Sequence, residues 1–257
     1  MPAKSMLARR RLSQIERGLT DFLLSVKCRM RLDKYICKST ELNRVEAIDV
    51  LQRRMVKIDN KVFTDGAVQV YGNHRVTLDD ISLKLRPFRY ILIHKPANTL
   101  CSNIDESHPS IINHLDVNKK SELHIVGRLD ADTTGLVLIT DDGSWTSKII
   151  TPSAQCEKVY RVTLRDELTD EAILKLEQGL MLKGIDEPTL PAKVTVLSTN
   201  EVLLTITQGK FRQVKRMFRA VGNRVKHLHR EKIGQVSLDV ELGQWRYLTS
   251  DEIDSFN

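Results

Sequence analysis

The chain has 257 residues, 41% of them apolar, with 40 Lys and Arg against 33 Asp and Glu for a formal net charge of +7. That length holds one large or two modest domains with their own cores, and no apolar stretch approaches the roughly 18 residues of a membrane-spanning helix. Cys28, Cys37, Cys101 and Cys156 lie far apart with no CxxC pair, which excludes a disulfide framework or a zinc site of the usual spacing and suits a reducing cytoplasm.

The charge is unevenly spread. Residues 1–29 carry seven Lys/Arg against two acids, residues 30–86 eleven against eight, and residues 87–257 22 against 23. Overall charge is therefore a poor guide to nucleic-acid binding, and local clusters must carry that argument. Residues 1–29 hold Arg9-Arg10-Arg11 and the short apolar patch Phe22-Leu23-Leu24, without the long apolar core and cleavage site of a secretory signal. The segment reads as a disordered or non-native extension, the alternative being a basic arm that grips RNA.

From residue 30 the pattern becomes regular. Leu32, Tyr35 and Ile36 recur at helical spacing, and Asn43 with Glu46 predicts a reciprocal cap opening a second helix through Ala47, Ile48 and Leu51. Val56 and Ile58 alternate, Asp59-Asn60 supplies a turn and Val62 resumes, a hairpin signature. A short strand at Val68 and Val70 would close the unit. Arg31, Lys34, Lys38, Arg44, Arg53 and Arg54 fall in the helical part, where one basic face would meet backbone phosphates. An ordinary solvated face is the plainer reading. The order Arg-Leu-Asp-Lys-Tyr, Asn-Arg-x-x-Ala, Val-x-Ile-Asp-Asn-x-Val is similar to the RNA-binding domain of ribosomal protein S-four, with Asn43 and Asn60 where that family more often has Ser and Gly. The resemblance implies RNA docking by residues 30–86. Residues 80–89, with Pro87, read as a linker.

Tyr90-Ile91-Leu92-Ile93 reads as a strand broken by His94-Lys95-Pro96, followed by a loop over 98–109 in which His108 reads as structural. Gly127-Arg128-Leu129-Asp130 and Ala131-Asp132-Thr133-Thr134-Gly135 then lead into the apolar run Leu136–Thr140, closed by the turn Asp141-Asp142-Gly143. Such a run reads as a buried strand. Asp130 thus sits on a tight loop carried into a rigid element, where a scaffold can hold a carboxylate for chemistry; filling a turn is the plainer role. Glu157–Leu164 alternates as a strand containing Tyr160. Thr169 caps a helix through Ile173 and Leu176 to Gly179. A loop over 183–191 with solvated Asp186 and Glu187 precedes strands near 193–197 and 201–207.

The basic cluster follows. Residues 210–232 contain nine Lys/Arg and one acid, Glu231, with Phe211 interrupting the run. Val214, Met217, Phe218 and Val221 would form one apolar helical face, leaving Arg212, Lys215 and Arg219 elsewhere around the helix, which ends at Gly222-Asn223. So much positive charge in so short a segment points to a polyanion. His227-x-His229 stands without further ligands and does not make a metal site. No Walker loop or dinucleotide fingerprint occurs.

The string Gly-Arg-Leu-Asp-x-x-Thr-x-Gly-Leu-x-Leu-x-Thr-x-Asp-Gly, beginning at Gly127, resembles the catalytic motif of the RsuA-type rRNA pseudouridine synthase family. The likeness extends over about residues 30–255. It implies an α+β fold: an S-four-like domain over 30–86, then a catalytic domain over 88–257 with a mainly antiparallel central sheet flanked by helices. It implies that Asp130 is the catalytic aspartate and that Tyr160, in Lys-x-Tyr, stacks on a flipped uracil and takes part in proton transfer. Lys215 aligns with the cation that pairs with the aspartate, Arg216 being the alternative. Arg128 either supports the carboxylate or fills the gap left by the flipped nucleotide. Lys210, Arg212 and Arg216 join Arg31, Lys34, Arg44, Arg53 and Arg54 as expected RNA contacts. The chain departs from the family at His94 (usually Asn) and at Gln208, Lys210 and Arg212 (usually Glu, Arg and His).

The implied reaction breaks the bond from ribose to the ring nitrogen, turns the base and rejoins it through carbon five, so no cofactor is expected. A cation beside the carboxylate would favour its charged form. Thr-Asp-Asp-Gly-Ser-Trp-Thr-Ser-Lys-Ile-Ile-Thr-Pro, Cys-Glu-Lys-x-Tyr and Gln-Val-Lys-Arg-Met-Phe resemble the branch acting on 16S small-subunit rRNA at uridine 516. The alternatives are a 23S large-subunit enzyme and a non-catalytic ribosome-assembly factor; a DNA-binding protein lacks a helix-turn-helix or zinc module. The expected partner is rRNA within a small-subunit assembly intermediate, met by a monomer without membrane or metal.

Overall fold

The computed structural model describes residues 29–256. They divide into two compact units separated in sequence between Pro87 and Phe88. The extension expected over residues 1–29 lies outside the described residues except for Arg29, which opens the first strand.

The first unit runs β1 (Arg29–Arg31), α1 (Leu32–Ser39), α2 (Arg44–Gln52), β2 (Val56–Ile58), β3 (Lys61–Val62), β4 (Gln69–Tyr71), β5 (Val76–Leu78) and β6 (Ile81–Ser82). The Asn43 side chain accepts from the Val45 and Glu46 N–H groups while Glu46 accepts from the Asn43 N–H, so both partners of the capping box are in place. Asp59 and Asn60 both take the left-handed conformation that a tight hairpin between β2 and β3 demands. Asp79 and Asp80 do the same between β5 and β6. This corrects the start of the linker expected over 80–89, because the Asp-Asp pair builds a second hairpin through Ser82, while residues 83–89 form no helix or strand. The sheet order is β3-β2-β5-β6, and β4 pairs instead with β1. Leu32, Ile36, Ala47, Leu51 and Val56 are fully buried.

The second unit runs β7 (Tyr90–Lys95), β8 (His124–Val126), β9 (Thr134–Thr140), α3 (Gly143–Ile150), β10 (Lys158–Leu164), α4 (Asp170–Gln178), β11 (Lys193–Ser198), β12 (Glu201–Ile206), α5 (Gln213–Ala220), β13 (Val225–Ile233), β14 (Val236–Ser237), β15 (Trp245–Tyr247) and α6 (Ser250–Asp254). One sheet orders the strands β11-β12-β10-β13-β9-β7-β15, with β14 on β13 and β8 on β9. Its pairings are antiparallel except that of β9 with β13. The strand expected to break at His94 continues through Lys95, which pairs with Gly135; Pro96, lacking an N–H, ends it.

The apolar run of β9 follows from burial on both faces. Val137 and Ile139 pack with Ile91, Ile93, Ile111 and Leu115, whereas Leu136 and Leu138 pack with Leu92, Trp145, Ile149 and Val236. The turn at 141–143 is also a helix start, since the Asp142 carboxylate accepts from the Ser144 and Trp145 N–H groups. Helix α5 buries Val214, Met217 and Phe218 against β10 and β12. Burial of each such side chain contributes roughly 1.5–3 kcal/mol, which fixes the helix while its basic residues face outward. Among the described residues no helix is long and apolar enough to cross a membrane.

Candidate active site

The loop between β8 and β9 turns at Gly127, whose φ of 72° suits glycine. Asp130 accepts the Thr133 N–H through its backbone carbonyl at 3.1 Å, and Asn98 N–H donates to the Ala131 carbonyl at 2.8 Å. Beneath the loop lies Lys95, with no exposed surface. Its ammonium donates to the carbonyls of Pro96 (3.0 Å), Ala131 (3.0 Å) and Thr133 (2.8 Å). All three donors are thereby satisfied, the condition for keeping a charge in the interior. Burial lowers the Lys95 pKa, opposed by the nearby Cys101, Asp132 and Asp130.

A second buried cation braces the loop from β13. Arg230, 2% exposed, donates through Nε to the Leu136 carbonyl at 2.7 Å and through Nη2 to the Gly127 carbonyl at 2.6 Å. Its Nη1 donates to the Tyr160 hydroxyl at 3.4 Å, and its guanidinium carbon lies 5.9 Å from that ring's centroid. Tyr160 is itself largely buried on the face of β10 that carries Val162 and Leu164. One planar guanidinium therefore ties the aspartate loop to the tyrosine.

Helix α5 brings the outer charges. Lys215 Nζ lies 3.2 Å from Asp130 Oδ2 and 2.5 Å from Asp132 Oδ1, and Arg212 Nε lies 3.8 Å from Asp130 Oδ2. The two carboxylates differ in setting: the Asp130 side chain is 21% exposed and that of Asp132 73%. The Lys215 hydrogen bond holds the Asp132 carboxyl below its usual pKa. Arg212 takes a left-handed conformation at the start of α5 and stacks its guanidinium 5.2 Å from the centroid of the exposed Phe211 ring.

The other expected site residues are dispersed. Arg216 donates to the carbonyls of Lys183 and Phe211, so it is Lys215 that meets Asp130. Lys210 reaches the Glu187 and Pro188 carbonyls. Arg128 is exposed and has no ion pair among the described residues. In the first unit, Arg31 and Arg44 pair with the buried Asp33, Arg53 pairs with Asp49, Lys34 is exposed and Arg54 is left-handed after α2.

Sequence reasoning missed the roles of Lys95 and Arg230. The available signal was phase: Arg230 lies two residues from the buried Leu228, which places a cation on an inward-facing strand position.

Residues 89–220 match the RNA pseudouridylate synthase family. The chain belongs to that family. Its reaction class is isomerisation, the conversion of uridine in RNA to pseudouridine. The synthase is 46% identical over 230 residues to the ribosomal small subunit pseudouridine synthase A of Vibrio vulnificus, covering 88% of this chain and 99% of the relative. It is 42% identical over 228 residues to the protein of that name from Haemophilus influenzae, covering 88% and 98%. A crystal structure of a pseudouridylate synthase, 41% identical, superposes with a TM-score of 0.66 over 89% of this chain and 100% of the other.

At Gln208 the amide Nε2 is buried with no hydrogen-bond partner among the described residues. Gln213 braces the following turn, its side-chain oxygen accepting the Lys210 N–H at 2.9 Å.

Proposed function

We propose that this synthase converts one uridine of 16S small-subunit rRNA, uridine 516, to pseudouridine, with Asp130 as the catalytic carboxylate and no cofactor. The observation that carries the reading is the Lys215 ammonium 3.2 Å from the Asp130 carboxylate, on a loop held from beneath by Lys95 and from behind by Arg230. The small-subunit assignment rests on relatives that bear that name over nearly their whole length.

In the reaction the C1′–N1 bond breaks and a C1′–C5 bond forms; C5 loses its hydrogen and N1 gains one, so atoms and electrons balance without a co-reactant. The base must leave its stack to reach the carboxylate. Tyr160 offers a replacement π-face, with its ring position fixed by Arg230, and takes part in proton transfer; Arg128, exposed on the loop, fills the space the nucleotide vacates. Lys210, Arg212 and Arg216 contact the RNA near the site. Residues 30–86 act as an S-four-like docking domain through Arg31, Lys34, Arg44, Arg53 and Arg54, and residues 88–257 as the catalytic domain. The synthase meets its rRNA in the cytoplasm, as a monomer, within a small-subunit assembly intermediate.

Site-resolved pseudouridine mapping of rRNA from cells with and without the gene tests this. Loss of the small-subunit site, restored by wild type and not by Asp130→Asn, is expected. Loss at a 23S site instead would overturn the substrate, and an unchanged map would leave a non-catalytic rRNA-binding factor.

A further inference from the structure

A groove of about 390 Å³ opens on the side of α5, lined by Arg165, Lys215, Arg219 and Arg224 together with the turn Gly222-Asn223. We infer that it binds a phosphodiester of the substrate RNA strand, beside the flipped nucleotide. The inference rests on the function proposed above for the choice of RNA, and on the groove's own construction for the choice of phosphate.

Four cations share this concavity, and mutual repulsion disfavours such an arrangement unless an anion neutralises it. Two of the four have carboxylate partners: Arg165, with Asp166 Oδ2 2.7 Å from its Nε, and Lys215, whose ammonium meets Asp130 and Asp132. Neither Arg219 nor Arg224 has one among the described residues. Both are exposed, as is Arg165. Guanidinium groups match phosphate oxygens in a planar, two-pronged geometry.

The backbone that carries them is stitched in place. Asn223, 8% exposed, donates through Nδ2 to the Asp166 carbonyl at 2.9 Å and the Glu167 carbonyl at 3.5 Å. Its Oδ1 accepts the Arg224 N–H at 2.7 Å and the Asp166 N–H at 3.3 Å. The Arg165 N–H donates to the Arg224 carbonyl at 2.8 Å. One buried amide thus locks the segment after β10 to the segment before β13, holding Arg165 and Arg224 side by side. Such pre-organisation lowers the ordering cost of binding.

Lys215 supplies the direction. Its side chain lines the groove while its ammonium meets Asp130 and Asp132. A strand whose uridine sits at Asp130 therefore continues past Lys215 into the groove.

The test measures binding of the full-length protein to a 16S rRNA transcript across a series of KCl concentrations. Arg165→Gln/Arg224→Gln is expected to weaken binding about five- to tenfold and to flatten the slope of log affinity against log salt by about 0.7–0.9 per lost phosphate contact. The Lys/Lys pair restores much of the slope, because an ammonium still supplies the charge. A Gln pair with the wild-type slope overturns the site. Orthophosphate that displaces RNA from wild type but not from the Gln pair, at millimolar concentration, would assign the groove to free phosphate instead. If the Gln pair melts early, Arg219→Gln on the open helix surface gives the same reading with about half the slope change. Binding is measured without turnover, so absence of pseudouridine overturns the proposed function and leaves the groove result standing.

Discussion

Gly135 and Arg230 pair across the parallel junction of β9 and β13 so closely that a Cβ on Gly135 would lie 2.3 Å from the Arg230 carbonyl oxygen and 2.4 Å from its nitrogen. Its φ of 113° is also one that L side chains rarely adopt. Gly135→Ala must therefore push β13 away, and Arg230 would then lose the Gly127 carbonyl. The expected cost is about 3 kcal/mol or more, read as a lower denaturant midpoint, with pseudouridine formation falling in parallel. A variant with the wild-type midpoint would show that the two strands can separate freely.

Lys95 acts from below the loop. Lys95→Met fills similar space but strands the Thr133 carbonyl, while the Pro96 and Ala131 carbonyls keep the Thr99 hydroxyl and the Asn98 N–H. Destabilisation of about 1–3 kcal/mol follows from stranding this buried acceptor. Turnover at saturating RNA should fall about a hundredfold, the scale expected when a catalytic group shifts by about an ångström. Single-turnover kinetics at saturation check this, and unchanged turnover would confine Lys95 to stability.

Two carboxylates share Lys215, and they can be told apart. Asp130→Asn should leave no detectable product while changing RNA affinity less than about tenfold, since the role proposed for the group is in the transition state rather than in binding. Asp132→Asn keeps the Lys215–Asp130 pair and should keep turnover within about tenfold of wild type. The opposite ranking would transfer the chemical role to Asp132.

Arg246 near the C-terminus sits between Asp239 and Glu252, donating two hydrogen bonds to each carboxylate at 2.7–2.8 Å. Chiefly through Arg246, the Glu252 carboxyl is lowered from 4.5 to about 2. A depressed carboxyl pKa favours the folded state above the unfolded value, and that contribution disappears as acid titrates the folded group. The contribution is thus full above about pH 4.5 and lost as pH falls toward 2. Arg246→Met should reduce stability at pH 7 by on the order of 1 kcal/mol, tempered by partial exposure. It should also flatten the acid limb in that window, as chemical denaturation at stepped pH would show; a limb unchanged in slope would count against the pairing.

Local chemistry made much of the fold legible. The caps at Asn43 and Thr169 and the turn at Asp59-Asn60 bind backbone within a few residues, so their signals are short and complete. Asp79-Asp80 belongs to the same class, but two acids in succession read as a solvated link until β5 is seen beside β2. The Asp130 loop was marked by its glycines and the apolar strand behind it. Lys95 and Arg230 were harder, because their acceptors lie on other elements: the Gly127 carbonyl is 103 residues from Arg230 in sequence. A cation in a strand ordinarily signals solvent, and only the assembled sheet shows that carbonyls replace it. The resemblance favours Lys215 over Arg216, and the rotation of α5 about its buried face is what brings the Lys215 ammonium to Asp130.

The long reach of Arg230 sets an order of events during biosynthesis. Neither the Gly127 carbonyl nor the Tyr160 hydroxyl can receive its hydrogen bond until a nascent chain has grown past residue 230. Contacts so distant in sequence also form late because closing the intervening loop is entropically costly. A partly synthesised chain that stops short of residue 230 lacks the brace behind the aspartate loop, so the geometry of that loop is fixed only once β13 has been made.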